Sequence, residues 1–469
     1  MSEKRFFKIF SQRHTIGNEN NYVKLFDYID QTDNTSNQDL IEQPFVKNVA
    51  AEKNYLYHLI LKSLNIYYYD FSYKMKVQNF ITNAEILAYK GLENQALKIL
   101  KKAEQMATGT ELYQHLITIH QLQFEINSKL LDYGAALTSL KTLQASTQQH
   151  MHLTEFEFIA TAVYQKRTEK GGIRNDEEAD AIQQLASHIN SNPDSNKKAL
   201  FYNSLLVANL NSKRDYRKQL SPLLTIISLY ESNDYLIQSS PKGYVSSIYN
   251  LANTYRHLED YKLALHTLDK LQEMEENRII RSSVSLSAYL FYLNNNLRLF
   301  IHIHNQQFEE AYQIVQNIEK NYSHFEPHAP KQVYYEHLVL VIRILFHFKA
   351  YNKAIRYSNI IINDSTFKVR MDIVTYIRLF NLIIHYEKNN LFSIDYFSQS
   401  TKNYLKRKNR LFKTENLIIK FLTGSDSGNK KQLTNIHKDL IKLKKDSYES
   451  SMFRLFDFEA WVNEKITRE

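Results

Sequence analysis

Seventeen histidines are the side chains best suited to chemistry in a chain of 469 residues without a single cysteine. Close pairs include His115 with His120, His302 with His304, and His324 with His328. Only the last has the i, i+4 spacing that sets two imidazoles on one helical face, and Pro327 and Pro330 argue against a helix there. There is no HExxH, so no metal site is expected. Without cysteine there are no thiol nucleophiles, disulfide frameworks or cysteine-ligated metals. None of the glycines, at 17, 91, 109, 134, 171, 172, 243, 424 and 428, forms GxGxxG or GxxxxGK[ST], the loops whose backbone amides cradle phosphates. No GxSxG positions a serine nucleophile. The paired acids Glu155 with Glu157, Glu177 with Glu178, and Glu309 with Glu310 read as solvated helix faces. The chain is therefore expected to be a non-enzyme with no cofactor.

Positive charge is the second feature that could do chemistry. The formal charge is +9, yet residues 396–445 hold thirteen basic and three acidic residues, a net of +10, so the other 419 residues together carry −1. The densest run is KNYLKRKNRLFK, which contributes Lys402, Lys406, Arg407, Lys408, Arg410 and Lys413. Such a cluster can neutralise phosphates of nucleic acid, meet an acidic protein, or be the solvated face of a terminal cap. In the second half of the segment Ile436, Leu440, Ile441 and Leu443 form an apolar stripe, which favours the cap. No base-reading motif and no helix-turn-helix is evident. Arg343 stands alone inside the apolar run LVLVIRILFHF, where an unpaired buried guanidinium is costly. It either reaches an acidic neighbour such as Glu336 or Asp364 or faces a ligand.

These side chains must be positioned by helices. Gly and Pro together make up 15 of 469 residues, against an average near 12%. Apolar residues recur at three and four, as in Leu251, Tyr255, Leu258 and Tyr261, Leu265, Leu268. Breaks fall at 31–43, 168–176, 190–196, 239–243, 323–330 and 423–429, with helices of roughly 12 to 20 residues between them. No alternating run calls for a strand. The greasiest stretch, Leu338 to Phe348, is too short for a transmembrane segment and carries Arg343, and the charged first ten residues do not read as a signal peptide. A cytoplasmic protein is expected.

The helices repeat. Around Ala264 stand Leu251, Ala252 and Tyr255 before it, Tyr261 three before, and Leu268 and Leu271 after. The same frame fits Ala96 (Ala84, Leu87, Gly91, Leu100, Ala103), Ala136 (Phe124, Tyr133, Leu140, Leu143), Ala311 (Leu299, Phe308, Val315, Ile318) and Ala354 (Ile342, Leu345, Tyr351, Ile361, with Ser358 where an apolar residue is usual). Weaker copies centre on Gln219 and Ile394. This block, an aromatic followed three residues later by Ala, resembles the tetratricopeptide (TPR) repeat, over roughly residues 75–400. The steps between anchors are 40, 45, 47, 43 and 40 residues, with 83 between positions 136 and 219, all longer than the family's 34. The aromatic segment Lys53 to Tyr69 with the array also resembles helical-repeat proteins of Bacteroidetes-type bacteria, a likeness that brings no function with it. The expected fold is an all-α, α–α superhelix, a TPR-like solenoid of antiparallel helix pairs in units of about 40–47 residues. The expected organisation is a helical segment over 1–50, the array over 51–395 and a basic helical cap over 396–469.

In the family resembled, the first helix of each pair lines a concave face that grips a peptide. Carried over residue by residue, that implies Tyr249, Asn250, Asn253 and Arg256, then Asn296 and His304 with Phe300, then Arg343 and His347. An Asn side chain can both donate to and accept from a peptide backbone. The resemblance thus implies a non-enzymatic scaffold or adaptor for a protein or peptide partner. The alternatives are a peptide-sensing regulator and a nucleic-acid-associated factor using residues 396–445. Tyr67, Tyr68 and Tyr69 cannot all be buried on one stripe, so at least one is expected to face a groove or a neighbouring helix.

Overall fold

The computed structural model describes residues 2–13, 20–32, 36–171, 173–187, 193–368, 370–423, 430–454 and 456–468. Parts of the expected breaks at 31–43, 168–176, 190–196 and 423–429 lie outside these residues, as does Gly172. Every regular element described is a helix, and successive helices pack in pairs, an all-α arrangement of the α–α superhelical class. The chain divides into two compact units, residues 1–152 and 153–469. The limits expected at residues 50 and 395 fall inside these units.

The first unit opens with α1 (Glu3–Gln12), α2 (Asn21–Gln31), α3 (Asn37–Ile41) and α4 (Val49–Tyr67). They share a small core of Phe7, Leu25, Leu40, Leu56 and Leu59. Then come α5 (Tyr73–Tyr89), α6 (Glu93–Gly109), α7 (Tyr113–Lys129) and the long α8 (Tyr133–Lys170), which runs on into the second unit's residues. Ala84 of α5 and Ala96, Ala103 and Ala107 of α6 are fully buried, so the two backbones meet over small side chains while Ile81, Leu100 and Ile119 fill the space around them. Of the three consecutive tyrosines, Tyr67 and Tyr68 are half-buried and Tyr69 is exposed.

The second unit continues with α9 (Asp176–Ala186), α10 (Asn196–Ser212), α11 (Tyr216–Ser232), the short α12 (Asp234–Ser239), α13 (Pro241–His257), α14 (Tyr261–Glu273) and α15 (Arg278–Arg281). Next are α16 (Val284–His304), α17 (Phe308–Asn321), α18 (Lys331–His347), α19 (Tyr351–Asn363), α20 (Met371–Glu387) and α21 (Leu391–Arg407). It ends with α22 (Lys413–Thr423), α23 (Lys430–Lys445), α24 (Ser450–Phe453) and α25 (Phe458–Arg468). The anchors Ala136, Ala264, Ala311, Ala354 and Ile394 are all buried, as the repeat frame requires. The two polar exceptions are also buried and are satisfied. Gln219 donates from Nε2 to the Val207 carbonyl at 2.9 Å and accepts from the Thr254 hydroxyl at 3.1 Å, tying α11 to α10 and α13. Ser358 returns its hydroxyl to the Ala354 carbonyl at 2.9 Å.

One turn recurs within and between pairs. Glu111, Leu131, Arg214, Glu259, Gln306, Lys349, Asn389 and Asn409 all adopt φ between 53° and 62°, and Gly91 adopts 77°. In each turn the next amide reaches the carbonyl five residues back, for example Leu92 to Leu87 at 2.9 Å, Asp260 to Tyr255 at 3.0 Å and Ala350 to Leu345 at 2.9 Å. This is the Schellman end, in which one left-handed residue lets the chain turn while it satisfies a last-turn carbonyl. From Arg214 the left-handed residues step through Glu259, Gln306, Lys349 and Asn389, so the 40- to 47-residue period of the anchors is also the period of the turns.

Helices α16, α18 and α20 are apolar on nearly every side and buried accordingly; α20 buries Met371, Ile373 through Ile377, and Leu379 through His385. One continuous core runs from Leu299 to Val462 and takes in Ile436 and Leu440 of α23 and Trp461 and Val462 of α25. The apolar stripe of α23 therefore docks, with Leu443 partly buried and Ile441 exposed. In the run Leu338 to Phe348, residues 338–342, 344 and 345 are buried in α18, whereas His347 and Phe348 at its end are exposed. No helix among the described residues is long and apolar enough to cross a membrane.

Candidate functional site

A cavity of about 280 Å³ opens on the inner helices of the second unit. Tyr249, Asn253 and Arg256 reach it from one face of α13, at i, i+4 and i+7. Helix α16 adds Asn296, Leu297 and Phe300, and α18 adds Glu336, Val339 and Leu340. The start of α20 brings Arg370, Asp372, Ile373, Thr375 and Tyr376. The remaining wall comes from distant parts of the chain: Arg174 ahead of α9, Arg410, Phe412 and Glu415 around the start of α22, and Ser451, Met452 and Arg454 at α24.

Five arginines meet three carboxylates in this lining, and they fall into two groups. Three are paired. Arg174 holds Glu415 with two hydrogen bonds, at 2.8 and 3.2 Å, and Glu449 at 2.9 Å; Arg410 holds Glu178 at 2.9 Å. Arg370 grips Asp372 from Nε and Nη2, both at 2.9 Å, and also bonds Glu336. Burial opposes the charge on Arg370, but Asp372 and Glu336 outweigh it and hold the guanidinium firmly protonated. Arg370 also sits in the left-handed region at φ 53°, pinned by its amide, which donates to the Thr168 carbonyl at 2.7 Å.

The other two have no acid. Arg256 lies with its guanidinium 4.5 Å from the Phe300 ring, donates from Nε to Asn253 Oδ1 at 2.8 Å, and meets His257 Nε2 at 2.7 Å. Burial, and after it the Arg454 guanidinium, pushes the Arg256 pKa down to about 10, so it stays charged at neutral pH. Burial together with Arg256, Arg454 and Arg214 holds His257 neutral. Arg454 is exposed and has neither a hydrogen bond nor an ion pair among the described residues. Orphaned polar atoms line the same space. The hydroxyls of Thr375 and Tyr376, residues 3% and 1% exposed, have no partner among the described residues, and neither has Asn253 Nδ2. Burial raises the Tyr249 and Tyr376 phenols well above their ordinary range, which makes them donors, not bases.

Of the residues expected on a binding face, the cavity gathers Tyr249, Asn253, Arg256, Asn296 and Phe300, together with Arg410 from the basic cluster. Asn296 has both amide groups engaged, donating to the Val333 carbonyl at 2.9 Å and meeting His337 Nδ1 at 3.1 Å, so it braces α16 against α18. Asn250 is exposed and outside the lining. His304 and His347 are also outside it, for a repeated reason. The aromatic that opens the second helix of one pair packs on a histidine that ends the first helix of the next: Tyr216 on His257 at 4.1 Å, Tyr261 on His304 at 5.2 Å and Phe308 on His347 at 3.8 Å. These rings join successive pairs. Arg343 meets neither acid proposed for it, because Glu336 is held by Arg370 and Asp364 by Lys331 and Tyr335. Its guanidinium lies 4.9 Å from the Phe456 ring, with Nε unpartnered.

The basic cluster divides in the same way. Lys406, Arg407, Lys408 and Lys413 are exposed and Lys402 is half-buried, whereas Arg410 is buried against Glu178. The side chains of Lys430 and Lys431 lie outside the described residues. Arg174, Arg370, Thr375, Tyr376 and Arg454 had no signal in the linear pattern. They meet through tertiary contacts such as that of Arg174 with Glu415, 241 positions apart in sequence and 2.8 Å apart in the fold. The chain matches no protein-family model and no curated protein sequence.

Proposed function

We propose that this protein is a non-enzymatic, TPR-like helical-repeat protein that takes a short peptide, or the end of a longer one, in the cavity of its second unit. The observation that carries this reading is the set of donors without acceptors, the buried Tyr376 Oη and Thr375 Oγ1 and Nδ2 of the half-buried Asn253, lining one space of about 280 Å³ beside the apolar Leu297, Val339, Leu340 and Ile373. A buried hydroxyl without a partner costs on the order of 1–3 kcal/mol, a cost that a ligand carbonyl removes. Apolar walls with a few convergent polar groups are the ordinary make-up of a ligand site. The lining holds no histidine, lysine or cysteine, and its tyrosines keep their protons, which fits holding a ligand better than reacting with it.

The regulatory reading draws on the far wall. Arg174, Arg410 and Glu415 line that wall and are held by buried ion pairs that also take in Glu449 and Glu178, so an occupant bears on contacts between remote segments of the unit. A ligand that changed their geometry would change the unit as a whole. Selection from a displayed random peptide library tests the reading, with the full chain and its Asn253→Ala/Tyr376→Phe variant as baits. Sequences enriched by the wild type and lost on the variant are expected; equal enrichment by both would overturn the assignment to this cavity.

A further inference from the structure

We infer that the Arg256 and Arg454 end of the cavity is a subsite for the dianion of a phosphate monoester, carried by a phosphorylated peptide. The inference rests on the reading of the cavity as a peptide site and names the group that site selects. Three of the five lining arginines are neutralised by Glu415 and Glu449, by Glu178, and by Asp372 and Glu336. Arg256 and Arg454 line this same cavity with no carboxylate partner, and Arg214, whose side-chain hydrogen bond goes to the Ser450 hydroxyl at 3.2 Å, adds to the positive field at Arg454. Like charges held together in a half-buried space are repulsive until an anion joins them.

The hydrogen-bonding geometry selects among anions. Arg256 spends Nε on Asn253 and one terminal nitrogen on His257, leaving its other terminal nitrogen free, and Arg454 has its whole fork available. The Phe300 ring beneath Arg256 fixes the plane of that fork. A carboxylate has two oxygens and one charge, enough for one guanidinium. A phosphate monoester has three terminal oxygens and close to two charges, so it can accept from both arginines and from Asn253 Nδ2 together.

The test uses titration calorimetry on the full chain at pH 8 and constant ionic strength. The probes are inorganic phosphate and the capped peptides acetyl-Ala-X-Ala-amide, in which X is phosphoserine, Glu or Ser. The phosphoserine peptide is expected to bind at least about tenfold tighter than the Glu peptide. Arg454→Gln should weaken the phosphoserine peptide and inorganic phosphate about tenfold while leaving the Ser peptide unchanged, a loss of the size expected for one charge-assisted contact. Arg454 is exposed and makes no internal bond, so this variant folds; Arg454→Lys, which keeps the charge without the fork, should recover part of the loss. Equal affinity for the phosphoserine and Glu peptides, or indifference to Arg454→Gln, would overturn the subsite. Binding of the Ser peptide with no phosphate preference would leave the peptide reading standing and remove this one. Arg454-dependent binding of inorganic phosphate without any peptide binding would keep the subsite and remove the peptide reading. Silence from every probe would remove both.

Discussion

Arg174 donates to both carboxylate oxygens of Glu415, at 2.8 and 3.2 Å, across 241 residues of chain. Glu449 accepts from the same guanidinium at 2.9 Å and also caps the start of α22, taking the amides of Lys413 at 3.1 Å and Thr414 at 3.2 Å. All three side chains are buried, so their desolvation is offset only while the set is complete. Arg174→Met should destabilise the second unit by about 3–5 kcal/mol, because it strands Glu415. The Arg174→Met/Glu415→Leu pair should lose far less, since Glu449 keeps its two amides. Urea denaturation of the two variants measures the difference. Equal losses would mean that the pair acts by packing alone.

The elements were more legible than the site, and the reason is range. Helical period, anchors and turns are local, so Ala96, Ala264, Ala311 and Ala354 could be placed from their neighbours, and all are fully buried. Tyr249, Asn253 and Arg256 were legible because they share one face of one helix. Arg174, Arg370 and Arg454 join them only through tertiary contacts that no spacing encodes. His304 and His347 have the polarity of ligand contacts, but they pack on aromatic rings of the preceding pair, a partner about 40 residues away in the neighbouring repeat. The basic run 402–413 reads as one patch in sequence, yet in the structure Arg410 turns inward while Lys406 and Lys408 stay in solvent.

Gly171 follows α8 at φ 84°, and a Cβ built there would stand 1.7 Å from Asp372 Oδ1 and 2.8 Å from Asp372 Cβ. Asp372 is the acid that holds Arg370 in the cavity wall. Gly171→Ala should therefore displace Asp372 and cost about 1–3 kcal/mol through the clash and the left-handed backbone together. It should also weaken whatever the cavity binds. A wild-type melting temperature would show that the loop relaxes without moving Asp372.

The eight left-handed turns without glycine store a cost that substitution can release. Lys349 is exposed, at φ 58°, and forms no hydrogen bond through its side chain. Lys349→Gly should stabilise the second unit by roughly 0.5–1 kcal/mol, the relief at φ > 0 exceeding the extra entropy of the unfolded chain. Gly91→Ala, at φ 77° with open space around its Cβ, is the opposite control and should destabilise the first unit by a similar amount. Denaturant midpoints of both variants check the pair, and a destabilising Lys349→Gly would show that the turn is set by its flanking helices.

His337 links a buried ring to acid stability. Its side chain is buried between α16 and α18 with Nδ1 against Asn296 Oδ1, and burial lowers its pKa to about 4 from an ordinary 6.5. The folded state therefore binds fewer protons than the unfolded state between pH 4 and 6.5, so stability rises with pH across that window. The contribution is complete above the unfolded value and is lost as pH falls toward the folded one. From pH 8 to pH 5 the second unit should lose about 2 kcal/mol through this group alone. His257, held neutral by burial and by Arg256, acts in the same direction. His337→Gln keeps an amide that can donate to Asn296 and removes the titration, so its urea midpoint should fall less steeply between pH 8 and pH 5 than that of the wild type. Parallel pH profiles for the two proteins would show that His337 is already charged in the fold, against the burial that surrounds it.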